Sequence, residues 1–245
     1  MNFLFAAEQD LELQIGAISL RVVAIASAIV IILILYAALA KSRSHIVFGS
    51  IVVTVLAASI FLIGSTIYLN QVSVSKGPVH WHADIEIWNC GEELDLLDPQ
   101  GFLSNKIGTP TLHEHNDKRI HLEGVVVETR DASLGKFFQV IGGDLTKNSL
   151  IVPTNDGKRS LISGQQCGDQ PAEMQTFLYR VDESGDTYTQ TKLADPAAHI
   201  IKDDSQVPPG DCVIFEFDQP KQKTDKKCTS WKVAEDLGKI KESTL

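Results

Sequence analysis

Two stretches of this chain, residues 22–40 and residues 46–69, contain no charged residue and are predominantly apolar. Each is long enough to cross about 30 Å of hydrocarbon as a helix rising about 1.5 Å per residue. Buried helices of soluble proteins are seldom so uniformly apolar for so long. Only Lys41-Ser42-Arg43-Ser44-His45 separates the two runs, which leaves room for a tight turn and nothing else. The expected unit is therefore an antiparallel transmembrane hairpin, with the lipid bilayer as its first partner. Gly49, Ser50, Ala57, Ala58, Ser59 and Gly64 keep the second helix slim. That permits close packing on the first helix or on other membrane proteins.

Orientation follows from the basic residues. Lys41 and Arg43 crowd the turn, whereas Arg21 and Lys76 are single charges on the opposite side, so the turn is expected in the cytoplasm. Residues 1–21 form an N-terminal tail with Glu8, Asp10 and Glu12, and lack the basic start of a secretory signal. The expectation is a two-span cell-membrane protein whose N-terminus and large domain are extracytoplasmic.

Residues 70–78 read as a short polar linker, residues 79–230 as a His-rich extracytoplasmic domain, and residues 231–245 as a charge-alternating C-terminal tail, a short helix or disordered. The net charge of -9, without an extended basic block, argues against a nucleic-acid partner. Cys90, Cys167, Cys212 and Cys228 all follow the apolar runs, and none forms a Cys-x-x-Cys pair. In an exported domain an even number of cysteines reads as disulfides. Three pairings are open. The one expected joins Cys212 to Cys228 across a polar loop and leaves Cys90 for Cys167, with the reduced state as the alternative.

Five of the seven histidines fall in two clusters, His80-Trp81-His82-Ala83-Asp84-Ile85-Glu86 and His113-Glu114-His115-Asn116-Asp117, the second followed by His121-Leu122-Glu123. Side chains alternate faces along a strand. His80, His82, Asp84 and Glu86 would then share one face, opposite Trp81, Ala83, Ile85 and Ile87. His113 and His115 repeat the device, as do His121 and Glu123. Imidazole suits zinc, copper and iron, and two on one strand face present themselves to a single ion. The expected zinc or copper ligands are His80, His82, His113, His115 and His121. Asp84, Glu86, Asp117 and Glu123 are expected to bind the ion or to fix the imidazole tautomers from behind. The bland alternative is a polar sheet face on which these groups only hydrogen-bond to each other.

The domain reads as β-rich α+β. Strands are expected at 82–89, 94–97, 119–129, 150–152, 159–162, 174–181, 187–193 and 212–217, with a loop over 98–110. A helix capped by Ser133 runs through Leu134, Phe137, Phe138 and Ile141 to Gly142-Gly143. A hairpin first, a helix across the sheet and an apolar strand last is the order of a β-grasp domain; a β-sandwich with one helix gives a similar string. His199, after Pro196-Ala197-Ala198, reads as an ordinary surface histidine, and His45 as interfacial. Trp81 and Trp88 read as core or rim.

The series His80-x-His82-Ala83, a Cys90-Gly91 turn, His113-Glu114-His115-Asn116-Asp117, Ile120-His121-Leu122-Glu123 and Ser133-Leu134-Gly135-Lys136-Phe137-Phe138 resembles a group of uncharacterised exported prokaryotic proteins. The resemblance covers about residues 78–150. It implies a shared domain and carries no established activity; Glu114 and Asn116 depart from its pattern. His80-x-His82 with Glu86 also looks like part of a cupin metal motif, but the rest of that motif is missing. Two membrane helices before a β-rich domain look like the second subunit of haem-copper oxidases. The Cys-rich copper loop of that family is absent. The expected function is a membrane-anchored module that binds, senses or delivers a transition metal. The rivals are a metal-dependent hydrolase or oxidoreductase on the same cluster, with Glu123 or Glu86 as general base, and a metal-free interaction module of an envelope complex.

Overall fold

The computed structural model describes residues 11–41, 44–101 and 104–243. Glu8 and Asp10 of the expected tail, Arg43 of the turn and the last two residues of the C-terminal tail lie outside the described residues. The chain divides into two compact units, Met1–Gly77 and Pro78–Leu245.

The first unit holds α1 (Leu11–Leu39) and α2 (His45–Val72), which pack on each other. α1 starts well before the uncharged run, because Arg21 interrupts the apolar sequence without interrupting the helix, arginine being a good helix former. Ser44 caps α2, its hydroxyl accepting from the Ile46 N–H at 3.2 Å. Thr54 and Thr66 return their hydroxyls to the carbonyls of Ser50 and Leu62 at 2.8 and 2.9 Å, so these polar groups are satisfied within the helix. No residue of α1 is buried, and large apolar side chains such as Ile32, Leu35, Phe48 and Ile60 stand exposed. Both helices are long and apolar enough to span a membrane.

The second unit is α+β and strand-rich. In chain order its elements are β1 (Pro78–Asn89), β2 (Glu92–Leu94), β3 (Ile107–Gly108), β4 (Leu112–Glu114), β5 (Arg119–Val125), α3 (Leu134–Val140), β6 (Asp144–Leu145), β7 (Ser149–Thr154), β8 (Gly157–Ile162), β9 (Gln166–Cys167), β10 (Gln170–Pro171), β11 (Glu173–Val181), β12 (Thr187–Lys192), β13 (Asp211–Asp218), α4 (Thr229–Asp236) and β14 (Lys241–Glu242). The main sheet runs β14-β12-β11-β13-β1-β5-β4-β3, with β2 also on β1; β6, β7 and β8 make a second sheet, and β9 pairs with β10. β1 is central, parallel to β13 and antiparallel to β5.

Strand periodicity builds two cores. Ala83, Ile85 and Ile87 of β1, Ile120 and Leu122 of β5, and Val213, Phe215 and Phe217 of β13 join Leu134, Phe137 and Phe138 of α3 and Leu150, Val152 and Leu161 of the second sheet. Cys212 and Ile214 of β13, with Phe177 and Tyr179 of β11, instead meet Trp231 and Ala234 of α4. Ser133 caps α3 as its position predicts, accepting from the Lys136 N–H at 3.1 Å. The strand expected to run from Arg119 to Thr129 stops at Val125. A 3-10 turn over Thr129–Ala132 follows, held by reciprocal capping in which the Glu128 N–H donates to Asp131 Oδ2 at 2.8 Å. Of the expected C-terminal tail, residues 231–236 belong to α4, with Trp231 fully buried, and Lys241–Glu242 forms β14.

His199 is not a surface residue. Its Nε2 lies 3.0 Å from Oδ2 of fully buried Asp211. The same carboxylate accepts from Arg180 Nε and Nη2 at 2.7 and 2.6 Å and from the Lys202 N–H at 3.1 Å. Burial pushes the Asp211 carboxyl up, but the His199 and Arg180 hydrogen bonds outweigh it and hold the group below the usual carboxylate range. A buried carboxylate with several donors pins the 199–211 segment against β13.

The two disulfides are Cys90 with Cys167 and Cys212 with Cys228. The second links residues 16 apart in sequence, joining β13 to the start of α4, and closing a loop of that length stabilises by about 3 kcal/mol. Replacing both Cys212 and Cys228 by Ala is expected to lower the thermal midpoint of the second unit by several degrees in calorimetry. An unchanged midpoint would show that the bridge does not hold α4 on the sheet.

Candidate metal centre

Register decides which side chains meet across an antiparallel pair. His82 stands opposite His121 of β5, and His121 opposite His113 of β4. Three imidazoles thus form one row across three adjacent strands. The next row pairs His80 with Glu123, and the row on the other side pairs Asp84 with Arg119. Two glycines let these strands approach. A Cβ on Gly108, whose φ is +106°, would lie 2.5 Å from the Leu112 carbonyl and 3.1 Å from the His113 Cα, so only glycine permits the tight β3–β4 return. A Cβ on Gly210 would lie 2.6 Å from the His82 carbonyl, so glycine admits the 203–210 segment beside β1.

One ligand atom from each of His80, His82, His121 and Glu123 lies within 4.8 Å of all the others. Glu123 Oε1 is 3.0 Å from His80 Nε2 and 3.9 Å from His121 Nδ1. The other ring nitrogens of His82 and His121 are engaged from outside. His82 Nδ1 is 2.6 Å from the Ser205 carbonyl and so donates to it, which leaves the lone pair on Nε2. His121 Nε2 donates to Asp117 Oδ2 at 3.1 Å, which leaves the lone pair on Nδ1. Both free nitrogens, His82 Nε2 and His121 Nδ1, are shielded from solvent and have no hydrogen-bond partner. An outer carbonyl or carboxylate that fixes the tautomer is the usual setting of a metal-bound imidazole.

His113 and His115 stand beside this group as a pair. Their Nε2 atoms are 3.1 Å apart, and both rings neighbour His121, at 5.5 Å stacked and 4.8 Å edge-on between centroids. His115 Nδ1 lies 2.7 Å from the Asn105 carbonyl. The His113 side chain is fully buried. Burial, then the Lys106 charge and neighbouring imidazoles, push its pKa down to about 4 against the smaller pull of Glu123. His82 is also pushed below the ordinary histidine value, by burial and then by His121. Both rings are therefore neutral near pH 7, the state in which imidazole binds metals.

The carboxylates divide. Glu123 is among the grouped donors and Asp117 holds His121 from behind. Asp84 and Glu86, expected beside the imidazoles, are engaged elsewhere. Arg119 Nε and Nη2 donate to Asp84 at 2.6 and 3.3 Å, and the Ser230 hydroxyl bonds the same carboxylate. Glu86 is 5 % exposed and accepts from Trp88 Nε1 at 3.1 Å. Strand alternation put them on the histidine face, but along that face Asp84 meets the long guanidinium of Arg119 directly across in β5. Asp84, Glu86, Asp117 and Arg119 help line a cleft of about 440 Å³ whose lining contains none of the five histidines.

Three supporting contacts escaped the sequence reading: the carbonyls of Ser205 and Asn105, and Glu114. Glu114 is buried, and its Oε1 accepts from the Asp117 and Lys118 N–H groups at 2.6 and 3.0 Å, closing the turn from β4 into β5. Asn116 and Lys118 take left-handed backbone angles in that turn, φ 65° and 58°. The departure of Glu114 and Asn116 from the resembled motif thus has a local role. An acid at Glu114, two residues before Asn116-Asp117, was the signal available. Comparisons with family models, with curated proteins and with solved structures find no match.

Because the folded pKa of His113 lies below that of the unfolded chain, the unfolded state takes up the proton first as pH falls. Stability from this group is complete above about pH 6.5 and declines toward pH 4, by on the order of 3 kcal/mol. Glu114 and Glu86, both pushed up by burial, act with the opposite sign, so the residue's own titration is the cleaner readout. In the chelator-treated protein the His113 ring resonance is expected to titrate by NMR with a midpoint near 4. A midpoint near 6.5 would mean that the ring is hydrated and the pocket open.

Proposed function

We propose that this chain is a membrane-anchored, extracytoplasmic protein that binds a transition-metal ion, zinc or copper, through His80, His82, His121 and Glu123, as a binding, sensing or delivery module. The observation that carries the reading is the convergence of those four donor atoms within 4.8 Å while outside acceptors hold His82 and His121 in the ligating tautomer. Three imidazole nitrogens and one carboxylate oxygen match the donor set and number of a tetrahedral zinc site, and nitrogen-rich sets suit copper(II) as well. Thiolate coordination is not on offer, since all four cysteines are in disulfides.

Four protein donors fill a tetrahedral site, which favours binding over catalysis, because catalytic zinc keeps a position open. His80, with 60 % of its side chain exposed, is the ligand solvent or another protein reaches first. That suits an exchangeable ion more than a sealed structural one. The membrane anchor is supported by α1 and α2, whose exposed apolar length would be untenable in water. The extracytoplasmic side is supported by the two disulfides, which persist in oxidising compartments, and the parallel pairing of β1 with β13 beneath α3 supports a β-grasp-like scaffold.

Purified full-length protein in detergent, stripped with chelator and titrated with zinc, is expected to bind it stoichiometrically. Combined His82→Ala and His121→Ala substitution should abolish binding by this group of donors. Asp117→Ala, which frees the His121 ring and also removes the acceptor of the Arg119 N–H, should weaken it about 10- to 100-fold. Absence of any stoichiometric zinc or copper in the wild type would overturn the assignment and favour the metal-free interaction module.

A further inference from the structure

The His113 and His115 pair is left over by a single four-donor site, although it touches that site on one side. We propose that the centre is dinuclear: His113 and His115 hold a second divalent transition-metal ion, and Glu123 bridges it to the first through its two carboxylate oxygens. The inference rests on the metal-binding reading above and adds a second site to it.

Three observations converge on it. The Nε2 atoms of His113 and His115 are 3.1 Å apart. Two nitrogens bound to one ion at about 2.0–2.1 Å, with an angle between a right angle and the tetrahedral one, stand about 2.8–3.4 Å apart. The pair is therefore already spaced as two ligands of one ion. Next, His115 Nδ1 is 2.7 Å from the Asn105 carbonyl and donates to it, which puts its lone pair on Nε2, the atom facing His113. This is the same outer-acceptor arrangement that Ser205 gives His82 and Asp117 gives His121.

Finally, Glu123 faces both groups. Its Oε1 lies 3.0 Å from His80 Nε2, and its Oε2 lies 3.9 Å from His113 Nε2. A carboxylate with one oxygen near each of two imidazole clusters can bridge ions about 3.5–4 Å apart, the usual spacing of two-metal sites, once Oε2 closes on His113 Nε2 from its 3.9 Å. Two protein nitrogens and one bridging oxygen leave the second ion at least one position for water or a further ligand. The lesser reading, a hydrogen-bonded pair of neutral imidazoles, accounts for the 3.1 Å contact but not for the second oxygen of Glu123 turned toward it.

The test uses the full-length chain in detergent, stripped and then loaded with zinc or with copper(II), using elemental analysis and calorimetric titration. The wild type is expected to bind two equivalents, and His115→Gln one, with the remaining equivalent retaining its affinity to within a few-fold. Because His113 is buried, His115→Gln is the primary variant, and an unchanged circular dichroism spectrum checks that it folds. Glu123→Gln should weaken both equivalents. In the copper(II)-loaded wild type, paramagnetic resonance should show spin coupling, as a half-field transition or as fewer than two spins in the integrated signal, and His115→Gln should restore an isolated copper spectrum. One equivalent in the wild type, unaffected by His115→Gln, would overturn the dinuclear proposal and leave the single-ion reading standing. Two equivalents with uncoupled spins, or a second equivalent insensitive to His115→Gln, would also overturn it. No bound metal in any form would remove both.

Discussion

The antiparallel register of β1 against β5 is the constraint from which the rest of the candidate centre follows. It sets His82 opposite His121 and His80 opposite Glu123, and β4 extends the first of these rows to His113. A slip of one residue would turn every imidazole on the moving strand to the opposite face. The register is held from that opposite face, where Ala83, Ile85, Ile120 and Leu122 are at most 2 % exposed beneath α3. Burial of an apolar face, worth roughly 1.5–3 kcal/mol for each large side chain, thus fixes the positions of polar groups that contribute little to folding themselves.

Around this register the protein places acceptors for the outward ring nitrogens. Ser205 follows Asp204, whose carbonyl accepts from the His82 N–H at 2.7 Å, and the chain just before it is tied to the buried Asp211 carboxylate through His199 and the Lys202 N–H. Asn105 belongs to the loop before β3, and Asp117 to the turn closed by Glu114. Three separate loops therefore present three acceptors, to His82 and His121 on the strands and to His115 just after β4. Strands supply the positions of the ligands, and loops select their tautomers.

Much of this was legible because it is local. Alternation of His80, Trp81, His82 and Ala83 assigned faces correctly, since period two is a property of the strand itself. Ser133 and the Phe137-Phe138 pair announced α3, and the two uncharged runs announced α1 and α2. What stayed hidden depends on contacts between distant segments. Alternation places Asp84 on the histidine face but says nothing of Arg119 across the strand, which draws that carboxylate away. Likewise His199 looked exposed because its own neighbours are small, whereas its partner Asp211 arrives with β13. The division of five histidines into a group of three with Glu123 and a pair beside it depends on register across three strands and on where the side chains then turn, which no single strand encodes.

The claim on which the account stands is that an ion bound by this protein is held by these imidazoles and Glu123. X-ray absorption at the zinc edge, on full-length protein carrying one equivalent of zinc, tests this most directly. The expected result is a shell of nitrogen and oxygen at about 2.0–2.2 Å with the outer scattering of about three imidazole rings. A sulfur shell at about 2.3 Å, or an oxygen shell without imidazole scattering, would contradict it.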